Sequence, residues 1–391
     1  MENKIKLLMV GDGGCPTGFA RVLHSIQKFL PEEDYEVHHL AINYFGDPHP
    51  YKAKLYPAMT PGTDPMGISR LENIIKFIKP DVIFILNDLW NVNEYLKVIN
   101  NIKNIKIPPI VVYFPVDAKD SDPDWLKYFG IVSKAIAYTK FGQDEIKKTN
   151  PNLDVMVIPH GIEKSIFYKT DRLEAKKALF SDERKDLHDS WIVLNANRNQ
   201  PRKRIDISLE GFSLFAKDKP ENVKYYSHCG LRDAGWDIMK LAKRFEINKR
   251  LIITSQHDGV QSVSDNWLNA IYNACDVGLN TSLGEGWGLP NVEHAITGAP
   301  QIVPDSSSCS EIFNDCGLLI PINQYLIYPQ MLTKGALVKP EDVAEKLELI
   351  YREKALYDEL SQKSIAKFSA PEYSWEEITK RFDAVFKEVI K

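Results

Sequence analysis

Short β-rich runs alternate with amphipathic segments from one end of this sequence to the other, and the alternation restarts in the middle. In the first half the runs are Lys6–Val10, Val82–Leu86, Ile110–Phe114, Ala135–Thr139 and Val155–Ile158. Between them lie stretches such as Ile68–Lys79, where Ile68, Leu71, Ile74, Ile75 and Ile78 share one helical face. Parallel sheets with crossover helices produce this pattern. The block from Lys169 to about Ser190 is charged and holds no strand, so it reads as helix and linker near a domain boundary. A fresh series then runs through Trp191–Leu194, Val223–Ser227, Leu251–Thr254, Val277–Thr281, Pro300–Val303 and Gly317–Ile320, a second doubly wound unit. The expected class is α/β, with two doubly wound parallel-sheet domains, residues 1–170 and 190–370, facing a cleft.

The 391 residues exceed what one hydrophobic core serves, which agrees with two domains. Hydrophobic and charged fractions of 44% and 26% exclude a largely disordered chain, and a net charge of −4 argues against a nucleic-acid groove. The apolar runs are strand-sized, too short for a transmembrane segment. Met1–Lys6 lacks a signal peptide's apolar core, and the five cysteines are scattered without a Cys-x-x-Cys pair. A reducing, cytoplasmic setting is expected, with peripheral attachment to a membrane left open; structural zinc and a disulfide frame are not.

Two stretches carry chemistry. Gly284-Glu285-Gly286-Trp287-Gly288-Leu289-Pro290-Asn291-Val292-Glu293 follows a strand, brings the backbone close to a ligand, and opens a helix whose first amides, around Gly288 and Leu289, face an anion such as phosphate. Glu285 and Glu293 flank that anion site, and carboxylates accept hydrogen bonds from sugar hydroxyls. A Gly-rich turn with a capping glutamate is the plain alternative. Asn197-Arg198-Asn199-Gln200-Pro201-Arg202-Lys203 places cations at the carboxyl end of a strand, where open α/β sheets bind ligands. A guanidinium and an ammonium there neutralise a diphosphate leaving group without a metal, unless the loop is merely solvated.

In order as in residues, these stretches resemble the retaining GT-B glycosyltransferases of the large family that holds sucrose synthases, bacterial glycogen synthases and many mannosyltransferases, which have two Rossmann-like domains. The family's Arg and Lys match Arg198 and Lys203, and its Glu-Gly-Phe-Gly-Leu-Pro with a second Glu eight residues on matches Glu285–Pro290 with Glu293, Trp287 replacing Phe. Val157–Ile162 resembles its Ile-Pro-Asn/His-Gly turn. Ser374-Trp375-Glu376-Glu377, which also reads as a capping box ahead of Ile378, Phe382, Val385 and Val389, resembles the start of its last helix, 373–391, which joins the first domain.

The resemblance implies that Arg198 and Lys203 hold the diphosphate, Glu285 grips the donor sugar and Glu293 takes the ribose. The amides of Trp287, Gly288 and Leu289 complete those contacts. It also implies a donor-side role for the loop Gly11–Gly18, through Gly13, Gly14 and Thr17, against an ordinary strand-to-helix turn. Pro16 there breaks a nicotinamide fingerprint. Where many members carry a His-Asp pair, this chain reads Tyr113-Phe114-Pro115-Val116-Asp117, so Asp117 either fills part of that role or ends the strand, and His160 is read as structural. Asp120-Ser121-Asp122 has metal-ligand spacing but lies in a Pro- and Asp-rich turn. Tyr44–Met66, with five prolines, is expected as a surface loop and Tyr325–Lys334 as an insertion.

The expected function is a metal-independent, cofactor-free transfer from a nucleoside diphosphate sugar, GDP-mannose ahead of UDP-glucose, to a glycan, lipid or protein acceptor hydroxyl. A GT-B-type sugar-nucleotide epimerase and a non-catalytic sugar-nucleotide-binding module are the alternatives.

Overall fold

Val82–Leu86 and Ile110–Phe114 are apolar at every position, which suits strands buried on both faces. They pair in parallel, Ile83 opposite Ile110 and Leu86 opposite Tyr113, inside a seven-stranded sheet. The computed structural model describes residues 4–391 apart from 60–63, 255, 257, 260–261 and 330. The chain forms two units: residues 4–161, Met331–Thr333 and Pro371–Lys391 in the first, residues 162–329 and Lys334–Ala370 in the second.

The first unit begins with β1 (Ile5–Asp12), α1 (Gly18–Phe29), β2 (Tyr35–Ile42), β3 (Lys54–Pro57), α2 (Ile68–Ile78) and β4 (Val82–Leu86). It continues through α3 (Leu89–Asn101), β5 (Ile110–Phe114), β6 (Lys134–Ala137), α4 (Lys140–Thr149) and β7 (Val155–Val157). Its strands lie in the order β3-β2-β1-β4-β5-β6-β7, all neighbours parallel, and the winding reverses between β1 and β4. β2 and β3 are strands that apolar runs do not announce. Glu36, His38 and His39 interrupt β2, yet His39 is fully buried and meets the Gly11 carbonyl at 3.1 Å. β3 lies inside the proline-rich stretch read as surface loop, and Pro57 is tolerated because β3 is an edge strand. Part of that stretch, 60–63, is outside the described residues.

The second unit holds α5 (Arg172–Leu179), β8 (Trp191–Asn195), α6 (Ile205–Ala216), β9 (Val223–Ser227), α7 (Ile238–Arg244), β10 (Leu251–Ile253), α8 (Asp265–Ala274) and β11 (Val277–Leu279). It goes on through α9 (Leu289–Ala295), β12 (Gln301–Pro304), α10 (Ser307–Phe313), β13 (Gly317–Ile320), β14 (Gln324–Ile327), β15 (Lys334–Leu337), α11 (Pro340–Arg352) and α12 (Lys354–Ser369). Its sheet has the order β10-β9-β8-β11-β12-β13, again parallel throughout, with the reversal between β8 and β11. Phe212, Tyr225, Val277, Ile302 and Leu347 fill its core. The segment Lys169–Ser190 belongs to this unit: the buried Lys176 of α5 reaches Asp276 at 3.2 Å. The expected insertion supplies Tyr325–Ile327 of β14 and Lys334 of β15, which pair as an antiparallel hairpin tied to the unit by the Ala336 amide donating to the Leu283 carbonyl at 2.7 Å.

α13 (Trp375–Val389) returns to the first unit. Phe382 and Phe386 meet the β4 side chain Phe84 at 5.5 and 5.2 Å between centroids, and the Tyr35 hydroxyl donates to Asp383 at 2.7 Å. Ser374 caps the helix by accepting the Glu377 amide at 3.2 Å. The other half of the capping box is missing, because the Ser374 amide is taken by the Pro371 carbonyl and Glu377 pairs with Lys380.

Candidate functional site

β8 and β11 are the strands at which the second sheet reverses, and the two expected stretches are the loops that leave their carboxyl ends. Backbone and side chains lace these loops together. The Leu283 amide donates to the Arg202 carbonyl at 2.8 Å, Thr281 Oγ1 to the Arg204 carbonyl at 2.8 Å, and Arg202 Nη1 to the Gly284 carbonyl at 2.5 Å. Lys203, in the 3-10 turn before α6, is thereby brought onto Glu285.

The two are buried together, with the ammonium on both carboxylate oxygens and Asn280 Nδ2 donating to one of them at 3.1 Å. A chain of buried amides backs the pair: Asn280 donates to Asn291 at 2.8 Å and Asn291 to Gln301 at 2.9 Å. Burial pushes the Glu285 carboxyl upward, but the Lys203 and Arg202 charges and the hydrogen bonds from Lys203 and Asn280 outweigh it and hold it at about 2. The site therefore contains a permanent buried anion ringed by cations.

Arg198 stands apart from that pair. Its guanidinium binds Asp233 through two nitrogens, at 2.7 and 3.2 Å, and is 43% exposed. The Arg198 contact lowers the Asp233 carboxyl below its ordinary range. Beside it the buried Asn199 clamps the loop that follows β9, donating to the Gly230 and Trp236 carbonyls at 3.0 and 2.7 Å and accepting the Trp236 amide at 2.9 Å.

The Gly-rich stretch enters α9 through Gly288 at φ +86°, a conformation that glycine adopts without a side-chain clash. Trp287 is buried, Leu289 is the first helical residue, and Pro290 is the second. Glu293 is buried on the same helix and accepts the Tyr272 hydroxyl of α8 at 2.9 Å. Lys203 and Glu285 are thus in direct contact, while Trp287, Gly288, Leu289 and Glu293 cluster at and just beyond the start of α9.

Gly13, Gly14, Thr17 and Asp117 lie in the first unit, on the loops after β1 and β5. Thr17 caps α1, accepting the Ala20 amide at 3.2 Å, and its hydroxyl donates to Asp12 at 2.6 Å. A Cβ on Gly13 would stand 2.4 Å from the Ala41 Cβ, and one on Gly14 would stand 2.7 Å from the Asn43 carbonyl oxygen, so both glycines serve packing against the end of β2. Asp12, absent from the sequence reading, is buried and its carboxyl is pushed up by that burial against the pull of Thr17. Asp117 is half-buried, three residues past β5. His160 is buried against Tyr113 at 2.7 Å, and burial holds its imidazole down at about 3. In the Asp-x-Asp stretch, Asp122 accepts the Asp124 amide at 2.9 Å as the cap of a 3-10 turn, and Asp120 adopts φ +60°.

Asn280, Asn291, Gln301, Asp233, Tyr272 and Ser307, whose hydroxyl accepts the Glu285 amide at 3.0 Å, were not singled out from sequence. Asn280-Thr281-Ser282 directly after an apolar strand was the one local signal for the buried amides.

No family model matches the chain. Among curated proteins it is similar to the serotype-specific mannosyltransferase WbdA of Escherichia coli, 23% identical over 214 residues, or 54% of this chain and 22% of WbdA. The chain thus spans about a fifth of the length of the curated relatives it matches. Among solved structures it resembles the sucrose-phosphate synthase of Thermosynechococcus elongatus, with a TM-score of 0.78 at 15% identity over 99% of both chains. The chain has the GT-B fold. Other GT-B structures agree: HepE of Anabaena, in complex with UDP and glucose, has a TM-score of 0.71 at 15% identity over 98% of this chain and 100% of HepE. WaaG, a glycosyltransferase involved in lipopolysaccharide biosynthesis, has a TM-score of 0.70 at 12% identity over 98% of this chain and 99% of WaaG. Among the described residues of this GT-B chain, no helix is long and apolar enough to cross a membrane.

Proposed function

We propose that the chain is a retaining glycosyltransferase that moves a sugar from a nucleoside diphosphate sugar, GDP-mannose ahead of UDP-glucose, to an acceptor hydroxyl without a metal. The observation that carries this reading is the Lys203–Glu285 contact at the point where the second sheet reverses. A carboxylate held at about 2 is ionised at any physiological pH, so it accepts from sugar hydroxyls and favours the positive charge that builds on a ring losing its leaving group. Lys203 and Asn280 supply three of the roughly four hydrogen bonds a carboxylate accepts, and Arg202 Nη1 stands 3.5 Å from Oε2.

In this reading Arg198 and Lys203 face the departing diphosphate and Glu293 the ribose. The backbone of Trp287, Gly288 and Leu289 meets the phosphates, and the leaving phosphate takes the acceptor's proton. On the loops of the first unit, Gly13, Gly14 and Thr17 are read as donor-binding and Asp117 as catalytic. Positioning and fixed charge supply most of the acceleration. WbdA supports a mannosyl donor and the HepE complex a uridine one. A cytoplasmic location accompanies the proposal, supported by five free cysteines.

The test is incubation with GDP-mannose or UDP-glucose alone, with and without EDTA. Slow release of nucleoside diphosphate and free sugar, unchanged by chelation, is the expected result. Interconversion of the donor sugar would instead make the chain an epimerase, and binding without turnover would make it a sugar-nucleotide-binding module. Loss of activity in EDTA, restored by magnesium or manganese, would overturn the metal-free mechanism.

A further inference from the structure

α10 opens on Ser306-Ser307-Ser308, its cap and first two residues, and serines at a helix start ordinarily spend a hydroxyl on capping. Here Ser306, at the cap position, makes no side-chain cap bond. Ser307 holds φ +51°, a left-handed conformation unfavourable to any residue with a Cβ. It is 5% exposed and its hydroxyl accepts the amide of Glu285 at 3.0 Å. The next amide, that of Ser308, donates to the Glu285 carbonyl at 3.4 Å. The Ser308 hydroxyl is buried and has no hydrogen-bond partner among the described residues. A strained backbone and an orphaned hydroxyl are two unfavourable features in consecutive residues, and such strain concentrates where surrounding structure needs a particular geometry. What both residues hold is the main chain of Glu285, on either side of its Cα.

We propose that Ser307 is a positioning residue: its left-handed backbone and its hydroxyl fix the Glu285 main chain so that the carboxylate meets Lys203. The effect on catalysis rests on the proposed glycosyltransferase reading, whereas the effect on the ion pair does not. Ser307→Gly keeps the left-handed backbone without strain and removes only the hydroxyl, while Ser307→Ala removes the hydroxyl and retains the strain.

The first measurement is urea unfolding of the wild type, Ser307→Gly, Glu285→Gln and the double variant. Glu285→Gln is expected to cost less stability in the Ser307→Gly background, because the carboxylate is no longer held on the ammonium. Equal cost in both backgrounds would overturn the proposal, and this result is read whether or not the protein turns over a sugar donor. The second is steady-state kinetics with GDP-mannose and UDP-glucose. Ser307→Gly is expected to lower turnover roughly tenfold with the donor Michaelis constant within about twofold, a split that general loosening of the fold does not produce. Unchanged turnover in Ser307→Gly beside an active wild type overturns the positioning role alone. A wild type inert with both donors sinks the proposed function and leaves the unfolding result to decide on Ser307.

Discussion

Lys203 Nζ lies 2.5 and 2.6 Å from the two carboxylate oxygens of Glu285, and both side chains are buried. The residue expected to hold a diphosphate and the residue expected to hold a sugar therefore hold each other. Removing either leaves a charge stranded in the protein, so each has a structural as well as a chemical role.

That coupling separates the two basic residues. Lys203→Ala is expected to cost about 3–5 kcal/mol of stability by leaving the buried Glu285 without its ammonium partner, whereas Arg198→Ala, on the partly exposed Asp233 pair, costs about 1 kcal/mol or less. Both should lower turnover by roughly a hundred- to a thousandfold. Urea unfolding beside steady-state kinetics measures the two effects, and an Arg198→Ala protein with near-normal turnover would remove that residue from the site.

The pH dependence of the pair follows from its sign. The Glu285 carboxyl stands at about 2 in the fold against an ordinary 4.5, so below 4.5 the unfolded chain takes up its proton first. The stability contributed by its ionised form is complete above pH 4.5 and is lost as pH falls towards 2. The stability gap between wild type and Glu285→Gln is expected to narrow over that window, as unfolding curves at pH 2 to 6 would show.

Buried imidazoles act at higher pH. His39, His160 and His294 are held down at about 3 by burial, against an ordinary 6.5. Below 6.5 the unfolded chain protonates them and the folded chain does not, so stability falls by about 1.4 kcal/mol per pH unit for each. His160→Gln should remove its share of that slope between pH 6 and 4.5, measured by urea midpoints.

The second glutamate is expected to fail differently from the first. Glu285→Gln should cut turnover, since its contact strengthens as charge builds on the sugar, whereas Glu293→Gln should weaken UDP and GDP by roughly 1.5–3 kcal/mol with turnover preserved. Tyr272→Phe, which removes the 2.9 Å donor to Glu293, should reproduce a smaller version of the Glu293 effect. Calorimetric titration of the nucleoside diphosphates separates these outcomes; loss of their binding in Glu285→Gln with retention in Glu293→Gln would reverse the assignment.

Strands whose every residue is apolar, such as Val82–Leu86 and Ile110–Phe114, were legible because burial on both faces leaves a continuous run. β2 was not, because His39 is buried as a neutral ring, a state its residue type does not advertise. The two ligand-loop stretches were legible from local glycine and charge content. Their partners were not: Asp233 lies 35 residues from Arg198, Tyr272 lies 21 from Glu293, and Ser307 lies 22 from Glu285. No periodicity spans such distances, and these contacts exist only once the sheet has ordered its strands.

The return of α13 to the first unit sets an order of assembly. Phe382 and Phe386, which pack on Phe84, are encoded after the whole of the second unit. During synthesis the strands of the first unit leave the ribosome before the second unit, but its last helix follows only after the whole of the second unit has been made. The second unit, whose sheet closes within residues 191–320, has all its strands earlier than the first has its covering helix. The usual vectorial order, in which the N-terminal domain matures before the next one appears, is inverted. A nascent chain stalled before Trp375 would display the bare aromatic face of β4, the kind of surface that chaperones bind.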